Sequence, residues 1–107
     1  MKRVIPLIAA VATLVPASGA GAGAVRVVKV EDIDFTPQTL AIRKGATVRW
    51  DFLDEGVSHN VISRGRRRFA GSPVKSRGSH RVAFRRSGIY RYVCTLHPGM
   101  DGRVVVR

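Results

Sequence analysis

The chain has 107 residues, with 19 Lys and Arg against 7 Asp and Glu, giving a formal net charge of +12. That length suits one domain. The single cysteine excludes an internal disulfide, a structural zinc site built on CxxC pairs and a C-x-x-C-H haem attachment. The strongly positive balance favours an acidic partner or an anionic surface.

In chain order, the first feature is a targeting segment. Met1-Lys2-Arg3 is a basic n-region, Val4 to Val15 is apolar, and Ala22-Gly23-Ala24 is an A-x-A cleavage site. Residues 1–24 therefore read as a secretory signal peptide, with an apolar run too short for a span of ~20 residues. Residues 25–107 read as the mature domain, located in the periplasm or secreted, and not inserted in a membrane once the signal is cleaved. Without Lys2 and Arg3 the domain keeps 17 cations against 7 anions, a net charge near +10. An exported chain does not meet nucleic acid in its working role, so an acidic redox partner or an anionic envelope is the expected counterpart.

The mature chain alternates with period two, punctuated by Gly and Pro. Strands are predicted over Val25–Val30, Thr39–Arg43 (closed by the turn Lys44-Gly45), Thr47–Phe52, Asn60–Ile62, Ser79–Arg85, Ile89–Cys94 after the turn Ser87-Gly88, and Gly102–Arg107. Val48, Trp50 and Phe52 are placed on the core face of their strand. Val82 and Phe84 share a face of theirs, as do Tyr90, Tyr92 and Cys94. His80 reads as a solvent-facing strand residue. Arg64 to Gly78 carries no strong pattern and reads as a basic excursion with a short strand at Phe69. No window of eleven residues has helical periodicity. The fold class is thus all-β, a single-domain sandwich or small barrel of short strands.

The chemistry is concentrated near the C-terminus. Cys94-Thr95-Leu96-His97-Pro98-Gly99-Met100 places a thiolate, an imidazole and a thioether at C-x2-H-x2-M spacing. A second imidazole, His59, follows the polar loop Asp54 to Ser58 and opens a short strand, at the same end of a sandwich. One Cys, two His and one Met are the ligand set of a trigonal His2Cys copper site with a weak axial Met. The thioether suits Cu(I) and is a poor zinc ligand. A thiolate in this position also removes the liability of a free thiol in an oxidising compartment. A Cys94–His97 nucleophile pair is the competing chemistry, but no oxyanion-stabilising groups accompany it. The chain reads as a non-enzyme that binds one copper ion through His59, Cys94, His97 and Met100.

Taken together, Phe35-Thr36-Pro37, Lys44-Gly45, Val48-Arg49-Trp50, His59-Asn60-Val61, Gly88 to Cys94, His97-Pro98-Gly99-Met100 and Gly102-Arg103-Val104 resemble the cupredoxins of the plastocyanin, pseudoazurin and amicyanin group. The short C-x2-H-x2-M loop is most similar to that of amicyanin. The resemblance implies a Greek-key β-sandwich of seven to eight strands with copper near one end. It implies His59, Cys94 and His97 as equatorial ligands and Met100 as the long axial one. It also implies that Asn60 ties the two ligand loops together by reaching Thr95, and that electrons leave through the edge of His97 in an apolar patch with Leu96, Pro98 and Gly99. The expected activity is one-electron transfer by a soluble, monomeric blue-copper carrier between redox partner proteins. Copper storage, delivery or resistance is the alternative that shares the same site, and a basic polyanion-binding domain with a vestigial site is the third. The basic segment from Arg64 to Arg77 and the high total charge depart from many relatives and bear on the partner, not the metal.

Overall fold

The computed structural model describes residues 23–107; all but the last two residues of the signal peptide expected over 1–24 lie outside the described residues. Eight strands follow in order: β1 (Val25–Glu31), β2 (Asp34–Thr36), β3 (Thr39–Ile42), β4 (Thr47–Phe52), β5 (Ile62–Arg64), β6 (Gly78–Ala83), β7 (Gly88–Val93) and β8 (Asp101–Val106). They form two four-stranded sheets, β2-β1-β4-β6 and β3-β8-β7-β5. Each sheet mixes directions: β1 runs parallel to β4 and β3 parallel to β8, while the other pairs are antiparallel. Among the described residues there is no helix, and so none long and apolar enough to cross a membrane. The Greek-key sandwich expected from the sequence is the fold.

The alternation that predicted the strands is what builds the core. β4 buries Val48, Trp50 and Phe52 and turns Thr47, Arg49 and Asp51 toward water. β1 contributes Val28 and Val30, β8 Val104 and Val106, and β7 Tyr90 and Tyr92. Apolar surface from both inner faces leaves water together, which is the main favourable term in a domain this small. The centre is aromatic. Trp50 and Tyr92 meet edge to face at 5.3 Å, as do Phe35 and Tyr92 at 4.8 Å. Tyr92 fits because Gly102 stands opposite it on β8; a Cβ on Gly102 would lie 2.5 Å from the phenol oxygen. The Lys44-Gly45 turn between β3 and β4 takes Gly45 to a φ of 92°, a conformation that glycine adopts without steric cost.

Four elements depart from the pattern read in the sequence. The strand expected at Asn60–Ile62 lies further on, at Ile62–Arg64, with His59 held by a lone bridge to Lys75. The strand β2 was not anticipated: it pairs with β1 through the two-residue turn Asp32-Ile33, both at positive φ (57° and 55°). Phe69 is not in a strand; it is half-buried and stacks on Trp50 at 5.6 Å with the rings 4° from parallel. His80 does not face solvent. It sits opposite Trp50 in the β4–β6 register, with its ring 5.9 Å from the indole and its Nε2 donating to the carbonyl of Ala70 at 2.8 Å.

The segment from Arg64 to Gly78 is anchored rather than loose. Ser72 donates its backbone N–H to the carbonyl of Val61 at 2.8 Å and accepts the N–H of Val61 on its hydroxyl at 2.9 Å. Phe69 N–H donates to the hydroxyl of Ser63 at 3.2 Å. These bonds satisfy the backbone N–H and C=O of Val61, just before β5, and the N–H of Phe69.

Candidate metal centre

Two stretches of chain, 35 residues apart, meet at one end of the sandwich. The first is the segment from Asp54 to Asn60 that leads into β5. The second is the loop from Cys94 to Met100 that joins β7 to β8. Cys94 continues the inward face of β7 beyond Tyr90 and Tyr92 and is buried. The loop after it is closed tightly: Cys94 N–H donates to Met100 C=O at 2.9 Å, and Met100 N–H to His97 C=O at 3.1 Å. These two bonds fold the C-x2-H-x2-M spacing back on itself, which puts Cys94, His97 and a buried Met100 at one place.

His59 is fully buried and pinned on both sides of its backbone, donating to Lys75 C=O at 3.0 Å and accepting from Lys75 N–H at 2.9 Å. Asn60 locks the two stretches together, as the resemblance implied. Its amide donates to the hydroxyl of Thr95 at 2.8 Å, and its carbonyl accepts the N–H of Thr95 at 2.8 Å.

The ring orientations follow from hydrogen bonds. His59 Nε2 lies 2.8 Å from the carboxylate of Asp54, and His97 Nε2 lies 3.1 Å from the carbonyl of Ser58. Both partners accept only, so each imidazole carries its proton on Nε2 and leaves the lone pair of Nδ1 free. Asp54 also accepts the backbone N–H of Ile33 at 3.1 Å. These bonds, with that from His59 first, hold its carboxyl below the usual carboxylate range, so it is ionised at neutral pH. An ionised carboxylate on the far nitrogen fixes the ring and raises the basicity of Nδ1.

The donor atoms of His59, Cys94 and His97 all lie within 4.8 Å of one another. The sulfur of Cys94 is 3.8 Å from Nδ1 of His59, and the two imidazole rings are 4.7 Å apart. An ion bonded to sulfur at ~2.3 Å and to nitrogen at ~2.1 Å, with an angle near ~120°, would hold those two atoms roughly 3.8 Å apart. The three side chains are positioned to bind one metal ion, and thiolate with two imidazoles is a copper donor set. His80, the third histidine, packs against Trp50 and is not among the converging donors. Asp54 is the residue of this centre that sequence reading missed. Its signal was present, since an acid five residues before a buried histidine can reach back to it, but loop acids are ordinarily solvated.

A small all-β sandwich with one thiolate and two Nε2-protonated imidazoles converging at its end is the architecture of a single-copper protein. A profile described as copper binding proteins of the plastocyanin/azurin family matches residues 23–107. Amicyanin-alpha of Methylorubrum extorquens is 32% identical over 83 residues, covering 74% of this chain and 69% of that relative. Amicyanin of Paracoccus versutus is 33% identical over 84 residues, covering 75% of this chain and 63% of the relative. Among solved structures, a purple cupredoxin from Nitrosopumilus maritimus superposes with a TM-score of 0.68 at 26% identity, over 76% of this chain and 98% of the other. The chain belongs to the plastocyanin/azurin family of copper-binding proteins, and copper is its metal.

Proposed function

We propose that the chain is an exported, soluble and monomeric type 1 copper protein that carries single electrons between redox partner proteins. His59, Cys94 and His97, with Met100 beside them, would hold the copper. The observation that carries this reading is the 3.8 Å approach of Cys94 Sγ to His59 Nδ1, with the opposite nitrogen of His59 held by a carboxylate. Copper, when bound, supplies a one-electron couple between Cu(I) and Cu(II).

The residues do the rest. Asp54, Lys75, Asn60 and Thr95 hold the His59 ring and the Cys94 loop in place before any metal arrives, so little has to move when the charge of the centre changes. Burial of Cys94 and Met100 keeps water from the sulfurs. His97 is half-buried, with the exposed Leu96 and Pro98 beside it, and forms the one side of the centre that meets the surface. A partner seated on that patch comes within reach of the imidazole edge, through which the electron leaves. The N-terminal basic, apolar and A-x-A sequence supports export.

The test is optical. The chain loaded with Cu(II) is expected to show the intense visible band of a copper–thiolate bond, and Cys94→Ala is expected to lose it. A colourless Cu(II) complex would overturn the reading.

A further inference from the structure

The outer face of the sheet β3-β8-β7-β5 carries a row of three arginines. Arg64 on β5 is directly opposite Arg91 on β7, and Arg91 is directly opposite Arg103 on β8. All three are exposed. Like charges in opposed positions repel, so this row works against its own sheet. No ion pair among the described residues neutralises it. The ion pairs among the described residues are Arg49–Asp51 and His59–Asp54, both elsewhere. Arg103 donates once, to the hydroxyl of Thr39, and Arg64 once, to the carbonyl of Ser63; most of the guanidinium donors stay open. The arginines line a groove with Gln38, Thr39 and Asp101, and Asp101 already accepts the amide of Gln38 at 2.7 Å.

The rest of the molecule sharpens the asymmetry. Six of the seven acids fall between Glu31 and Glu55, on or near the opposite sheet, and Asp101 is the sole acid after them. Twelve cations lie beyond Glu55. The row is flanked by aliphatic side chains on the same face: Ile89 and Val105 on one side, Ile62 and Val93 on the other. Forked guanidinium groups between part-exposed aliphatics, with no Lys among them, accord with protein interfaces, where Arg is enriched and Lys depleted. A guanidinium fork matches a carboxylate in two parallel bonds.

We propose that this arginine row is a docking surface for an acidic face of a protein partner. Arg91 precedes Cys94 by three residues on one strand, so the row lies roughly 10 Å along the strand from the thiolate. A partner bound there is seated against the flank of the metal end, within reach of the His97 patch as well. The inference rests on the carrier reading for what the partner is for, but the docking itself needs no metal.

The experiment uses the copper-free mature chain, 15N-labelled, titrated with an unstructured glutamate-rich peptide and followed by amide chemical shifts. Shifts are expected to concentrate on β5, β7 and β8. Arg91→Gln with Arg103→Gln is expected to weaken binding tenfold or more, while Arg85→Gln with Arg86→Gln, which removes the same charge elsewhere, weakens it twofold or less. The row variant is also expected to melt no lower than the parent, because it relieves repulsion. Equal weakening by both pairs would reduce the effect to bulk charge and overturn the proposal. So would a lowered melting temperature, or binding to phosphatidylglycerol vesicles without binding to the peptide. Because no copper is present, a colourless copper complex would sink the carrier reading and leave this result standing.

Discussion

Asp54 shows how much of this centre depends on a side chain that never touches the metal. Its carboxylate holds Nε2 of His59 at 2.8 Å and the N–H of Ile33 at 3.1 Å, so it links the β1–β2 turn to a ligand. Asp54→Asn keeps the shape and removes the charge, and the ring loses both its fixed tautomer and part of its basicity. Copper affinity is expected to fall by 10- to 100-fold, the usual cost of losing such a partner, as read by competition with a chelator of known affinity. The same carboxyl is held below its ordinary pKa, so the folded state binds its proton less readily than the unfolded state does. Its contribution is therefore present above the unfolded value of about 3.9 and lost as pH falls through the lower folded one. Tyr92 behaves in the opposite sense. Burial pushes its phenol up to about 12, and neither its hydroxyl nor Trp50 Nε1 has a hydrogen-bond partner among the described residues. Between pH ~10 and ~12 the unfolded chain loses this proton while the folded chain keeps it, so stability falls with rising pH by on the order of 2 kcal/mol. Tyr92→Phe is expected to flatten that slope in urea melts of the metal-free chain and to cost little at pH 7, since it removes an unpaired hydroxyl. A slope unchanged by the substitution would show that another group titrates.

At the scale of elements, the turn between β1 and β2 is where the chain holds strain. Two-residue hairpins of this type need positive φ at both central positions and are usually built from Asn and Gly. Here they are Asp32 and Ile33, and a β-branched residue at a φ of 55° is a genuine outlier. Ile33 is half-exposed, so little packing depends on it. Ile33→Gly is expected to stabilise the domain by about 1 kcal/mol, as relief of the strained φ outweighs the added freedom of the unfolded chain; a calorimetric midpoint that falls would refute it. The same turn explains why β2 was illegible in the sequence. Asp-Ile-Asp carries no turn signal, and three residues are too few for alternation to register. Strands with clean period two, such as Thr47–Phe52 and Ile89 to Val93, were legible because their faces are buried and exposed by turns. The convergence of His59, Cys94 and His97 was legible for a different reason, because the C-x2-H-x2-M spacing becomes chemically specific once an upstream His-Asn accompanies it in an all-β chain. The segment from Arg64 to Gly78 was not, because Ser72, Phe69 and His80 anchor it by bonds and stacking that follow no period. Nor did period two indicate that β1–β4 and β3–β8 run parallel, since strand direction is settled by connections across the whole sandwich.

At the scale of the whole molecule, the domain is small and lacks a disulfide, and the copper centre takes the place of a covalent staple. The described domain spans 85 residues, and its ligands come from two stretches that only tertiary structure brings together. An ion held by His59 and by the Cys94–Met100 loop fastens the segment before β5 to the β7–β8 connection. Ligation therefore stabilises the folded state alone, because no preformed cluster exists in the unfolded chain. With free copper at about 1,000 times its dissociation constant, linkage gives about 4 kcal/mol. For a domain of this size each kcal/mol moves the midpoint by about 4–8 °C, so copper is expected to raise the melting temperature by roughly 15–30 °C, reversed by a chelator. Cys94→Ala is expected to melt near the metal-free parent and to gain much less from the ion. A parent whose midpoint does not move with copper would mean that the ion does not bind the folded state in preference to the unfolded chain. The preorganisation seen in the paired 2.8 Å bonds of Asn60 and Thr95 spares the ion that ordering cost, so it tightens binding to the folded state and enlarges the rise at a given free copper concentration.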